Sequence, residues 1–131
     1  MEKISEPVAN KKKKVLIVDD DEIHLEMTRN ILGSKYEVTT VKSGKDALAL
    51  FYKGFIPNLI LLDIIMPHMD GWDAFGRLKA ISTLHEVPIA FFTSSRQTED
   101  RNRAKEMGAI DYIMKPFQTN DLLARVEKIL G

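Results

Sequence analysis

The chain has 131 residues, 44% of them hydrophobic and 29% charged, the size and composition of one globular domain that can bury a core unaided. Its 19 basic and 19 acidic residues cancel, so the charge balance gives no sign of nucleic acid as a partner. Cysteine is absent, which excludes disulfides, thiolate metal sites and a cysteine nucleophile, and fits a reducing cytoplasm.

No segment approaches the roughly 18 apolar residues of a membrane span. The apolar run after Lys11 to Lys14 is too short for a signal-peptide core. Met1 to Asn10 is polar, aperiodic and interrupted by Pro7. We read residues 1–13 as a flexible tail with solvated lysines, and 14–131 as one domain.

Val15 to Val18 is a short apolar run, read as a buried strand. Asp21 can cap a helix that places Ile23, Met27 and Ile31 on one face and stops at Gly33. Tyr36 to Val41 predicts a second strand. Ser43 caps a helix through Lys53 with Ala47, Leu48 and Phe51 inward. Asn58 to Leu62 is apolar on both faces and predicts a third strand. A loop with Pro67 leads to a helix over 72–81. Val87 to Phe92 is a fourth strand, and Thr98 to Met107 a charged helix ended by Gly108. Ile110 to Met114 is a fifth strand. Thr119 or Asn120 caps a last helix with Leu122, Leu123, Val126 and Ile129 on its apolar face.

Strands and helices alternate through short connections, which implies parallel strands, right-handed crossovers and helices on both faces. The expected fold is α/β, a doubly wound five-stranded parallel sheet whose ligand site lies beyond the carboxyl ends of the strands. Those ends carry Asp19, Asp20 and Asp21, then Asp63, then Thr93, Ser94 and Ser95, then Lys115. Clustered carboxylates repel unless a cation or proton intervenes, and their oxygens suit a hard divalent ion such as Mg²⁺. An ammonium and a hydroxyl beside them suit phosphoryl oxygens, and a carboxylate can itself accept a phosphoryl group. Singly, each residue is a cap, a turn residue or a solvated charge, and Asp21 is a cap. Together on one rim they point to phosphoryl chemistry.

Four stretches in order carry a resemblance: Val15 to Glu22, Leu61 to Gly71, Thr93 to Ser95, and Asp111 to Phe117. They resemble the receiver domain of two-component response regulators, of the chemotaxis-receiver kind, over roughly Lys14 to Leu130. That family's sheet has strand order 2-1-3-4-5, a flavodoxin-like arrangement. The resemblance implies a stand-alone phosphorylation switch rather than an enzyme. Asp63 would take a phosphoryl group from a histidine kinase or phosphotransfer protein. Asp19, Asp20, Asp63 and the backbone carbonyl of Ile65 would hold Mg²⁺. Lys115 would pair with the phosphoryl oxygens and Thr93 would hydrogen-bond them. Tyr112 would turn inward with Thr93 and change a face that docks a downstream protein, with neither nucleic acid nor membrane as partner. Ile65, aliphatic beside the path of attacking water, implies slow loss of the phosphoryl group.

The remaining candidates read as structure. His24 and His85 are expected at the surface, His68 in a solvated loop, and Trp72 in packing. A phosphatase of the haloacid-dehalogenase type shares the layout and an aspartate nucleophile. It would leave Asp63 without a role and needs an acidic pair after Lys115 that this chain lacks.

Overall fold

Five short strands pair in parallel in the order β2-β1-β3-β4-β5, as the resemblance implies. They are β1 (Lys14–Val18), β2 (Glu37–Val41), β3 (Leu59–Leu62), β4 (Ile89–Thr93) and β5 (Asp111–Met114). The helices between and after them are α1 (Glu22–Leu32), α2 (Gly44–Tyr52), α3 (Gly71–Lys79), α4 (Thr98–Met107) and α5 (Thr119–Leu130). The computed structural model describes residues 12–131, so the expected tail falls, as far as residue 11, outside the described residues.

Because side chains alternate along a strand, each central strand feeds two cores. Leu16, Val18, Ile60, Leu62 and Phe91 pack on one face against Ala47 and Phe51 of α2, Phe75 and Leu78 of α3, and Ala104 of α4. Val15, Ile17, Leu59, Leu61, Phe92 and Ile113 pack on the other against Leu25 and Leu32 of α1 and Leu122 and Val126 of α5. Each such fully buried side chain contributes about 1.5–3 kcal/mol, so β1 and β3, apolar on both faces, are the structural centre. Among the described residues, no helix is long and apolar enough to cross a membrane.

Local chemistry accounts for most element ends. Asp21 accepts from the amides of Ile23 and His24, Ser43 from that of Asp46, and Asp70 from that of Asp73. The Asp70 cap starts α3 at Gly71, one residue earlier than the sequence predicts. Gly108 ends α4 at φ 96°, a left-handed conformation that a side chain would resist.

Four expectations need correction. The buried face of α1 is Leu25, Thr28 and Leu32, while Ile23 and Met27 are exposed. Gln118, not Thr119 or Asn120, occupies the N-cap of α5, and it makes no side-chain capping bond. A 3₁₀ turn, Ser82–Leu84, precedes β4, which starts at Ile89 rather than at Val87. Finally, Lys12 and Lys13 are not simply solvated. The Lys12 ammonium donates to the carbonyl of Gly33 beyond α1, at 3.3 Å, and that of Lys13 to the carbonyl of Leu130 in α5. Cations there meet the free carbonyls and negative dipole ends of two helices.

Candidate functional site

The parallel register delivers four side chains to one rim. Val18 lies level with both Val41 and Leu62, Leu62 with Phe91, and Thr93 with Met114. Backbone pairing continues one residue past the strands. The Asp19 amide donates to the Val41 carbonyl (3.1 Å), the Asp63 amide to Val18 (2.9 Å) and the Lys115 amide to Thr93 (2.8 Å). Asp19, Asp63 and Lys115 are therefore held at the ladder's edge rather than on mobile loops. All three, with Thr93, are buried, their exposures ranging from 0 to 6%.

Lys115 organises the cluster. Its ammonium lies 2.5 Å from Asp19 Oδ2 and 3.5 Å from Asp63 Oδ2, with the Phe92 ring 5.2 Å away beneath it. Asp20 is exposed at the mouth, and carboxylate oxygens of Asp19, Asp20 and Asp63 all lie within 4.8 Å of one another. Three carboxylates against one ammonium leave two negative charges in excess, which one divalent cation would balance. The oxygen-only donor set suits a hard ion.

Burial raises the Asp63 carboxyl from its usual 3.8 to about 6. Lys115 opposes that rise, the Asp19 charge adds to it, and hydrogen bonding from the Ile65 amide and Thr93 lowers it. Asp21 behaves differently: exposed and accepting from the His24 amide, its carboxyl is lowered, in keeping with its role as a cap.

Two loops complete the rim. After β3, the Ile65 amide donates to Asp63 Oδ1 at 3.4 Å, and the Ile65 side chain is 61% exposed at the mouth. The Gly71 amide donates to the Ile64 carbonyl at 2.7 Å. A Cβ on Gly71 would stand 2.3 Å from the Asp63 carbonyl oxygen, so only glycine lets α3 start this close to the strand. After β4, Thr93 Oγ1 accepts from the Ser95 amide at 3.3 Å. Tyr112 is buried, its hydroxyl donates to the Ser95 carbonyl at 3.1 Å, and the Arg101 guanidinium lies 5.6 Å from its ring.

The structure thus brings Asp19, Asp20, Asp63, Thr93 and Lys115 together and seats Ile65 and Tyr112 beside them. His68 is exposed in the loop after β3, with φ 69°, and His85 is exposed. Trp72 packs on Phe91 at 4.8 Å, as expected, and also stacks under Arg103 at 4.3 Å. His24, read from sequence as a surface residue, is the exception. Its Nδ1 lies 3.1 Å from the Lys115 ammonium, with the side chain only 37% exposed. A signal was available: helix side chains lean toward the N-terminus, so a residue in the first turn after an aspartate-rich strand end faces the rim. A groove of about 710 Å³, lined by Pro88, Ile110, Asp111 and Arg125 among others, is remote from this chemistry.

The chain matches the family model of the response regulator receiver domain over residues 15–127. It is 39% identical over 124 residues to the "Probable transcriptional regulator ycf27" of Porphyra purpurea, covering 92% of this chain and 49% of that protein. It is 38% identical over 111 residues to the two-component response regulator ORR6 of Oryza sativa subsp. japonica, covering 82% and 65%. The chain spans about half the length of the first of these curated relatives. Among solved structures it is similar to the chemotaxis protein CheY4 of Vibrio cholerae, with TM-score 0.83 and 30% identity, covering 90% of this chain and 98% of that one. The non-phosphorylated HemR receiver domain of Leptospira biflexa gives 0.80 and 30%, covering 92% and 95%.

Proposed function

Because this chain belongs to the response-regulator receiver family, we propose that Asp63 is its phosphoacceptor, that residues 14–131 form the receiver unit, and that a histidine kinase or phosphotransfer protein in the cytoplasm is the donor. An Asp63 carboxylate oxygen attacks the phosphorus of a phosphohistidine. The P–N bond breaks, and the freed imidazole takes up a proton. Little covalent assistance is needed, so positioning and charge neutralisation carry the catalysis.

Asp19, Asp20 and Asp63, with the backbone carbonyl of Ile65, would hold Mg²⁺. Bound there, Mg²⁺ supplies positive charge to the transferring phosphoryl oxygens. Lys115 neutralises a further phosphoryl oxygen, and the Thr93 hydroxyl hydrogen-bonds another. Thr93 precedes the Ser94-Ser95 loop on which Tyr112 rests, so a pull on Thr93 is felt at Tyr112. We assign α4, β5 and α5 as the output face, docking a downstream protein target, by a population shift between two packings.

The observation that carries this reading is Lys115, buried and within reach of both Asp19 and Asp63. Acetyl phosphate with Mg²⁺ should add one phosphate to the wild type and none to Asp63→Asn, read by intact mass. Continuous release of phosphate without a phosphorylated protein, or modification of the variant at the wild-type rate, would overturn it.

A further inference from the structure

We infer that His24 is a positioning residue for phosphoryl transfer, whose Nδ1 lone pair holds the Lys115 ammonium away from the attacking carboxylate. The inference rests on Asp63 being the phosphoacceptor.

An ammonium donates three hydrogen bonds and accepts none. Around Lys115 Nζ stand three acceptors: Asp19 Oδ2 at 2.5 Å, His24 Nδ1 at 3.1 Å and Asp63 Oδ2 at 3.5 Å. Since lysine cannot accept, Nδ1 of His24 must carry the lone pair, which puts the ring proton on Nε2. The carboxylates nearest Nδ1, Asp21 at 3.6 Å and Asp19 at 3.7 Å, lie beyond hydrogen-bonding distance. The ring is therefore a neutral third acceptor and adds no charge to a rim already short of cations.

Its backbone is fixed on both sides. The His24 amide donates to Asp21 Oδ1 at 3.2 Å, and its carbonyl accepts from Thr28 Oγ1 at 2.7 Å. Lys115 is buried, so its head is confined to these partners.

The consequence concerns competition for the ammonium. Asp19 is its shortest partner, and Asp19 is also a carboxylate that a divalent cation would claim. Once that contact weakens, Asp63 and His24 remain. An ammonium given wholly to Asp63 would neutralise the carboxylate that has to attack phosphorus. His24 offers the alternative and leaves Lys115 poised at the mouth, where phosphoryl oxygens arrive.

The full chain provides the test. At a pH well above the ordinary imidazole value of about 6.5, ¹⁵N NMR should find His24 as the Nε2–H tautomer. Rates of Asp63 phosphorylation by acetyl phosphate, at saturating Mg²⁺, should fall about three- to tenfold in His24→Leu and His24→Gln, the range expected for one charge-assisted hydrogen bond to a half-exposed partner. His24→Asn should restore the rate, because its Oδ1 falls near the position of Nδ1, whereas glutamine reaches past it. Mg²⁺ affinity should be the same in all four proteins. His24→Leu at the wild-type rate, equal slowing in all three variants, or a proton on Nδ1 would each overturn the inference. If the wild type itself took no phosphate, the phosphoacceptor reading would fall, whereas a proton on Nδ1 would separately overturn the contact between His24 and Lys115.

Discussion

Along β3 the residues from Leu59 to Leu62 are apolar and wholly buried, whereas the next residue, Asp63, is ionisable and nearly as deep at 6% exposure. The same step occurs on the neighbouring strand, where Val18 gives way to Asp19. Among the described residues, five polar or charged side chains are buried, and four of them, Asp19, Asp63, Thr93 and Lys115, sit on this one rim. The fifth, Thr28, is satisfied by the His24 carbonyl of its own helix. Burial therefore acts in opposite senses a residue apart. In the body of the sheet it stabilises, and at the rim it holds charges against their own preference for water. The rim keeps its geometry because strand pairing extends through it.

Two substitutions two residues apart, one in β3 and one just past its end, should separate these regimes. Leu61→Ala removes a fully buried side chain and should cost about 2–5 kcal/mol of unfolding free energy in denaturant titrations. Asp63→Asn should do the reverse at neutral pH. The folded carboxyl is raised from 3.8 to about 6, so between those values the folded state binds more protons than the unfolded state. Wild-type stability then falls as pH rises through that window, by at most about 3 kcal/mol. Asparagine does not ionise. In chelator, the variant should exceed the wild type by about 1–3 kcal/mol at pH 7, and the gap should close near pH 4. A variant less stable than the wild type at pH 7 would mean that the charge of Asp63 supports the fold.

What was legible in the sequence follows the same division. The strands, their parallel pairing and the rim residues can be read because buried parallel strands are continuous apolar runs and their carboxyl ends share one edge, whereas strand order came from the resemblance to the receiver family. The face of α1 was misread for a physical reason. Ile23, Met27 and Ile31 follow a helical period, and so do Leu25, Thr28 and Leu32. A polar residue in the middle disguises the second set, but Thr28 enters the core because its hydroxyl donates to the His24 carbonyl at 2.7 Å. The cap of α5 misled in the opposite way. Thr119 and Asn120 are good capping residues, yet the chain enters the helix at Gln118, where no side chain bonds the free amides. For His24 the lean toward the rim is legible, but its partner, Lys115, lies 91 residues away, and only the fold brings them together.

The smallest expected effect tests the boundary between the dry interior and water. The Ile65 backbone donates to Asp63, which keeps its side chain next to the carboxylate, yet that side chain is 61% exposed. Ile65→Asn should therefore leave stability within about 0.5 kcal/mol of the wild type. What changes is the treatment of water at the mouth. An aliphatic group covers the approach and cannot hydrogen-bond a water molecule, whereas an amide can accept from one and orient it. If Asp63 carries the phosphoryl group, the variant should lose it about three- to tenfold faster, the effect of roughly one hydrogen bond, measured by the decay of phosphorylated protein after acetyl phosphate is removed. A rate unchanged or slower would mean that water reaches the phosphoryl group by another path, leaving Ile65 as a cover over the rim with no part in setting the lifetime.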